Sequence, residues 1–229
     1  MRYRAVVFDF FGTLTVPSSP QRRIASNTEI ATVIGAPAEE FRALWWQTWP
    51  ERCTGAMGDF TTAVREIAAR LGIEVSEATL AEAAGARRLS ERGFRELRDD
   101  ALTTLQTLRD WGVDTALISD CTEELSDEWS GSPVAPYIQV PVFSCTAGIK
   151  KPDPRIYALA YDALGHAPAD CLYVGDGGSH ELPGATAVGM SAVRILDGDG
   201  EHHRFEPVDW PGPHITTLAE VCDLVTGTA

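Results

Sequence analysis

The chain has 229 residues, 44% of them hydrophobic, and a mean hydropathy of −0.09, enough for one large domain or a core carrying a sizeable insertion. No apolar run approaches the roughly 18 residues of a membrane span. Nineteen Lys+Arg against 33 Asp+Glu leave a net charge of −14, which repels phosphate backbones and anionic lipids, so neither nucleic acid nor a membrane is expected as a partner.

The basic start Met1-Arg2-Tyr3-Arg4 precedes an apolar stretch that ends at Asp9, too short for a signal-peptide core. Ala5-Val6-Val7-Phe8 is unbroken and apolar, as befits a strand buried on both faces. From about Val16 to Leu97 no strand-like run of useful length occurs. Pro20, Pro37, Asp59 and Ser76 each precede a helical pattern, and Gly35 and Gly72 follow two of them, which predicts a four-helix insertion. Strand-like runs then recur at Thr115-Ala116-Leu117-Ile118, Val140 to Phe143, Cys171-Leu172-Tyr173-Val174 and Ala192-Val193-Arg194-Ile195. Helix starts are marked between them by Asp99, by Asp153-Pro154 as N-cap and first helical residue, and by Thr216. Alternating strands and helices predict an α/β fold, a doubly wound parallel sheet with an inserted all-helical unit. Residues 1–15 and 98–229 would form the core and 16–97 the insertion. Five scattered cysteines (Cys53, Cys121, Cys145, Cys171, Cys222) with no Cys-x-x-Cys pair read as reduced thiols in a cytoplasmic protein.

Ligands of open parallel sheets sit at the carboxyl ends of the strands, and four of these ends carry reactive groups. The first ends in Asp9-Phe10-Phe11-Gly12-Thr13-Leu14-Thr15 and the second in Ser119-Asp120. Gly148-Ile149-Lys150-Lys151-Pro152-Asp153-Pro154 precedes a helix, and Gly175-Asp176-Gly177-Gly178-Ser179-His180-Glu181 ends the fourth strand. An aspartate after a strand is commonly a turn former or cap. All four motifs in this order point beyond that.

Together they resemble the four motifs of the haloacid dehalogenase (HAD) superfamily, in its phosphatase-like branch with a helical cap inserted after the first motif. The likeness covers nearly the whole chain and implies a HAD-like Rossmannoid core with a mobile cap. By position, Asp9 matches the nucleophile that forms an aspartyl-phosphate. Asp9, Asp176 and Glu181, with the carbonyl of Phe11, match the residues that place Mg²⁺, for which hard oxygen ligands are suited. Lys151 matches the lysine that offsets the charge of nucleophile and phosphoryl group, and Thr13 and Ser119 match the hydroxyl positions, the serine holding the phosphoryl group. Lys150 and Lys151 are the only lysines beside 17 arginines, and Lys151, directly before Pro152, is the one assigned. The implied substrate is a small phosphorylated molecule.

One position departs from the pattern. Phosphatases of the family carry a second aspartate two residues after the nucleophile, the acid and base of the reaction, and this chain has Phe11 there. General acid–base assistance is worth about 10²–10⁴-fold, and phenylalanine supplies none. Three readings remain open: a phosphatase with weakened leaving-group protonation or an acid borrowed from the cap, a 2-haloacid dehalogenase, whose halide leaves without a proton, or a HAD-derived binding protein. The acidic fourth motif favours the first. The dehalogenases' cap arginine falls near Trp46, with Arg42 close by. A phosphonoacetaldehyde hydrolase would need a cap lysine, and none lies between Val16 and Leu97.

Trp45 and Trp49, four residues apart, read as one buried helix stripe, which leaves Trp46 as the tryptophan expected to line the cleft. Arg22 and Arg23 read as a solvated helix face, His180 as solvent-facing, and His202-His203 as a loop feature.

Overall fold

A computed structural model describes residues 1–196 and 209–228; His202 and His203 lie outside them. Six strands form one all-parallel sheet in the order β3-β2-β1-β4-β5-β6. They are β1 (Ala5–Phe8), β2 (Asp114–Ser119), β3 (Val140–Phe143), β4 (Cys171–Gly175), β5 (Ser191–Ile195) and β6 (His214–Ile215). The sequence pattern anticipates the first five. The two-residue β6 is too short to show a period.

The central strands divide their side chains by the two-residue strand period. Val6, Phe8, Leu172 and Val174 enter one core, which includes Leu105 and Leu108 of α6 (Ala101–Asp110) and Val221 and Val225 of α11 (Glu220–Thr226). Ala5, Val7, Cys171 and Tyr173 enter the other, with Ile156 and Tyr157 of α9 (Pro154–Leu164) and Leu182 of α10 (Glu181–Ala187). Burial on both faces explains why β1 and β4 read as continuous apolar runs. Asp153 caps α9 as expected, accepting from the Arg155 N–H at 2.9 Å with Pro154 opening the helix. The last helix starts later than Thr216. Thr216 and Thr217 instead turn around Glu220, both backbone N–H groups donating to its Oε1.

Between β1 and α6 lie five helices rather than the four expected: α1 (Pro20–Val33), α2 (Ala38–Gln47), α3 (Trp49–Cys53), α4 (Phe60–Arg70) and α5 (Glu77–Gly93). The extra boundary falls at Thr48, because Pro50 lacks the N–H that would continue α2. Ser19, Asp59 and Ser76 cap α1, α4 and α5 through their side chains, each satisfying a helix-end donor. Ile30, Phe41, Trp45, Val64, Ile67 and Leu80 give these helices a core of their own. The chain leaves and re-enters the sheet layer side by side, where Thr15 bridges Leu97 and the Val16 N–H donates to Glu96 O at 2.8 Å. Two short helices border the sheet's carboxyl end, α7 (Glu123–Asp127) and α8 (Ser144–Ala147). Among the described residues no helix is long and apolar enough to cross a membrane.

Candidate active site

The carboxyl ends of β1, β2 and β4 open into a cleft of ≈ 70 Å³. On the sheet side it is bordered by Asp9, Phe11, Asp120, Lys151, Asp176 and Glu181. Asp9 extends β1, its N–H donating to Val174 O at 2.9 Å. The chain then turns sharply through Gly12, whose φ is +79°. A Cβ there would lie 2.8 Å from Asp176 Oδ2, so glycine satisfies both the backbone conformation and the close approach of the two strand ends. On the other side, Ser179 and His180 both take positive φ, 51° and 52°. Ser179 borders the cleft and is buried, whereas His180 is exposed.

Lys151 sits at the centre. Its Nζ donates to Asp9 Oδ1 and to Glu181 Oε2, each at 2.6 Å. Tyr173 Oη donates to the same Glu181 oxygen at 2.8 Å, and the Gly177 N–H donates to Oε1 at 2.9 Å. Both oxygens of Glu181 therefore already hold their neighbours in place. Gly175 must be glycine for a related reason, since a Cβ there would collide with the Glu181 carboxylate. Thr13 donates to Asp9 Oδ2 at 3.0 Å, and the Lys151 N–H donates to Asp120 Oδ1 at 3.0 Å. Asp176 Oδ1 accepts from the Gly178 N–H at 2.8 Å.

Asp9, Asp176 and Glu181 each bring a carboxylate oxygen within 4.8 Å of the others, all three residues buried. Three carboxylates facing one ammonium leave the cluster two negative charges in excess when all are ionised. Burial accordingly pushes Asp9 up to about 7, with Glu181 adding to the rise and Lys151 opposing it. Glu181 is raised by burial as well. Burial alone would weaken the Lys151 ammonium, yet Asp9 and Glu181 hold its pKa well above the usual lysine value. Hard oxygen donors with surplus negative charge suit a divalent cation such as Mg²⁺, so the residues present fit the group.

The opposite side of the cleft comes from the helical unit. Arg23, expected on a solvated helix face, is instead half-buried beside Phe11 and Phe94, its guanidinium 5.6 Å and 4.4 Å from their ring centres. Its Nε donates to Ser18 Oγ at 2.8 Å. Arg87 and Glu91 also border the cleft. Arg87 pairs with Glu91 at 2.9 Å and with Glu124 of α7 at 2.8 Å, all three buried. Sequence reasoning passed over this cluster, although an Arg and a Glu four apart on a helix are its local trace.

The expected hydroxyls and tryptophan sit elsewhere in the site. Thr13 acts on Asp9 from behind the cleft wall. Ser119 is fully buried at the end of β2, off the cleft surface, with no hydrogen-bond partner for its hydroxyl among the described residues. Trp49 borders the cleft, while Trp46 lines an adjoining cavity of ≈ 20 Å³ together with Arg23, Arg52 and Arg87. Trp45 is core, as expected.

Residues 3–189 match the haloacid dehalogenase-like hydrolase family. The chain belongs to that family. It is 29% identical over 234 residues to (S)-2-haloacid dehalogenase 4A of Burkholderia cepacia, with 97% of this chain and 94% of that one covered. It is 34% identical over 129 residues to phosphoserine phosphatase of Thermus thermophilus, about half of each chain. The L-2-haloacid dehalogenase of Xanthobacter autotrophicus has the same fold, with a TM-score of 0.65 at 23% identity over 99% of this chain and all of that one. A haloacid dehalogenase-like hydrolase thus has relatives of both chemistries. The similarities do not rank phosphatase above dehalogenase, as the sequence motifs did.

Proposed function

We propose that this hydrolase is a Mg²⁺-dependent phosphatase of small anionic phosphorylated substrates, with Asp9 as nucleophile and the helical unit 16–97 as its cap. The observation that carries this reading is the buried convergence of Asp9, Asp176 and Glu181 beside Lys151. Asp9, Asp176 and the Phe11 carbonyl would hold the cation, with Glu181 close behind. When bound, it offsets the charge of the nucleophile and the phosphoryl group.

The chain's own residues account for the remaining chemistry. The Thr13 hydroxyl orients the Asp9 carboxylate, and the Lys151 ammonium screens it from an incoming anion. Asp9 forms a bond to phosphorus as the bond to the leaving oxygen breaks. Water then attacks phosphorus, restoring the carboxylate and releasing phosphate. Phe11 can neither protonate the leaving oxygen nor take a proton from water. Both steps therefore lack the usual carboxylate, and substrates with weakly basic leaving groups are favoured. Arg23 across the cleft favours an anionic substrate.

A 2-haloacid dehalogenase is the second reading, favoured by Phe11 and by the full-length similarity to the Burkholderia enzyme. A panel of phosphate esters, acyl phosphates and 2-haloacids, each with and without Mg²⁺, separates the two. Phosphate release that requires Mg²⁺ supports the phosphatase. Halide release that persists in excess chelator replaces it with the dehalogenase.

A further inference from the structure

Two thiols meet beside the cleft, in a place the hydrolytic chemistry does not use. Cys121 follows Asp120 at the end of β2, is 2% exposed and borders the cleft. Cys145 lies in α8, beyond the end of β3, and is partly exposed. Their sulfurs stand 4.0 Å apart. A disulfide needs about 2.05 Å, so about 2 Å of approach joins them. The backbone around the pair is already fastened. The Cys121 N–H donates to Ser144 Oγ at 2.9 Å, and the same hydroxyl donates at 2.6 Å to the carbonyl of Cys53 in α3. The end of β2, α8 and the helical unit therefore share one junction.

We propose that Cys121 and Cys145 form an oxidation site at which hydrogen peroxide converts the two thiols into a disulfide joining the ends of β2 and β3. The Cys145 thiol gives up its proton, the thiolate attacks a peroxide oxygen as the O–O bond breaks, and the departing hydroxide takes up that proton, leaving a sulfenic acid and water. The Cys121 sulfur then attacks the sulfenic sulfur. The S–S bond forms as the S–O bond breaks, and the departing hydroxide takes the thiol proton as a second water. Two thiols lose two electrons and two protons, and hydrogen peroxide becomes two waters.

The order of the steps follows from the two environments. Hydrogen bonding with Cys121 and Ser126 brings the Cys145 thiol down to about 7 despite partial burial, and partial exposure admits the oxidant. Burial holds Cys121 well above the ordinary thiol value, so it stays a thiol through the first step and reacts in the second because its sulfur lies 4.0 Å from that of Cys145. The consequence reaches the active site through the neighbours of Cys121. Asp120 accepts the Lys151 N–H at 3.0 Å, and Arg87 donates to Thr122 Oγ1 at 3.4 Å. Drawing Cys121 toward α8 therefore pulls on the loop that seats Lys151.

The test treats the full chain with hydrogen peroxide and follows intact mass, a non-reducing peptide map and turnover of p-nitrophenyl phosphate. Expected are a loss of about 2 Da, a Cys121–Cys145 cross-linked peptide absent from Cys145→Ala, and reversal by dithiothreitol. Turnover should fall by up to ~10²-fold, as small misplacements of catalytic groups do, and return on reduction. Oxygen addition at Cys145 without a cross-link, or a cross-link to Cys53 instead, overturns the proposal. So does a quantitative disulfide that leaves turnover intact. A chain that forms the disulfide yet never hydrolyses a phosphate ester, with or without Mg²⁺, keeps this site and loses the phosphatase reading.

Discussion

The guanidinium of Arg23 lies 5.6 Å from the centre of the Phe11 ring, so the position where the resemblance to phosphatases implies an acid instead faces a cation at the cleft wall. Phe11 presents an apolar ring with a positive charge beside it and no proton donor.

With an activated aryl or acyl phosphate, the first turnover should be fast and the following ones slow, because a good leaving group rescues formation of the phosphoaspartate and not its hydrolysis. Phe11→Asp should raise the slow phase by up to ~10²–10⁴-fold, the worth of a positioned acid or base. Rapid-quench kinetics with and without the substitution measure both phases. Steady, rapid turnover of an alkyl phosphate by the unaltered chain would mean that a cap residue already supplies the proton. Glu91 is then the first residue to replace, since it borders the cleft.

Arg23→Met should weaken binding of an anionic substrate while leaving the nucleophile intact. Hydrogen bonds to charged groups contribute about 1.5–3 kcal/mol, which is roughly a 10- to 150-fold rise in KM at 1.4 kcal/mol per factor of ten. Steady-state kinetics check it, and an unchanged KM would place the guanidinium outside the substrate's reach.

Arg87→Met should destabilise the fold by about 3–5 kcal/mol, the cost of stranding buried partners of a broken ion pair. Glu91 and Glu124 are 4% and 8% exposed and would both lose their cation. Urea melts of Arg87→Met and of Arg87→Met with Glu124→Gln measure it, the double variant recovering part of the loss.

The Asp9 carboxyl should make stability depend on pH with an unusual sign. Its folded pKa, about 7, exceeds the ordinary 3.8. Between these values the folded state binds more protons than the unfolded chain, so this residue's contribution falls as pH rises through the window. Thermal melts across that range, compared with Asp9→Asn, isolate the effect. Mg²⁺ favours the ionised carboxylate and should flatten the difference. A difference that Mg²⁺ leaves unchanged would argue against a cation at Asp9.

What the sequence determined by itself was whatever depends on near neighbours along the chain. Strand-like runs of four residues marked the sheet, and Asp59, Ser76 and Asp153 marked helix starts through hydrogen bonds two or three residues long. Asp9, Lys151, Asp176 and Glu181 were legible because strand ends in a parallel sheet face one edge, and the ends of β1 and β4 are adjacent. The tertiary structure decided what lies opposite. Pro50 restarts the helix after Thr48, so the four-residue spacing from Trp45 no longer predicts where Trp49 points. A guanidinium on a surface-like helix face becomes a cleft residue where Phe11 and Phe94, far apart along the chain, come to lie beside it. Likewise Arg87 finds Glu124 across 37 residues. A charge's role is set by its partners and its exclusion from water, and both arise only when the helical unit closes over the sheet.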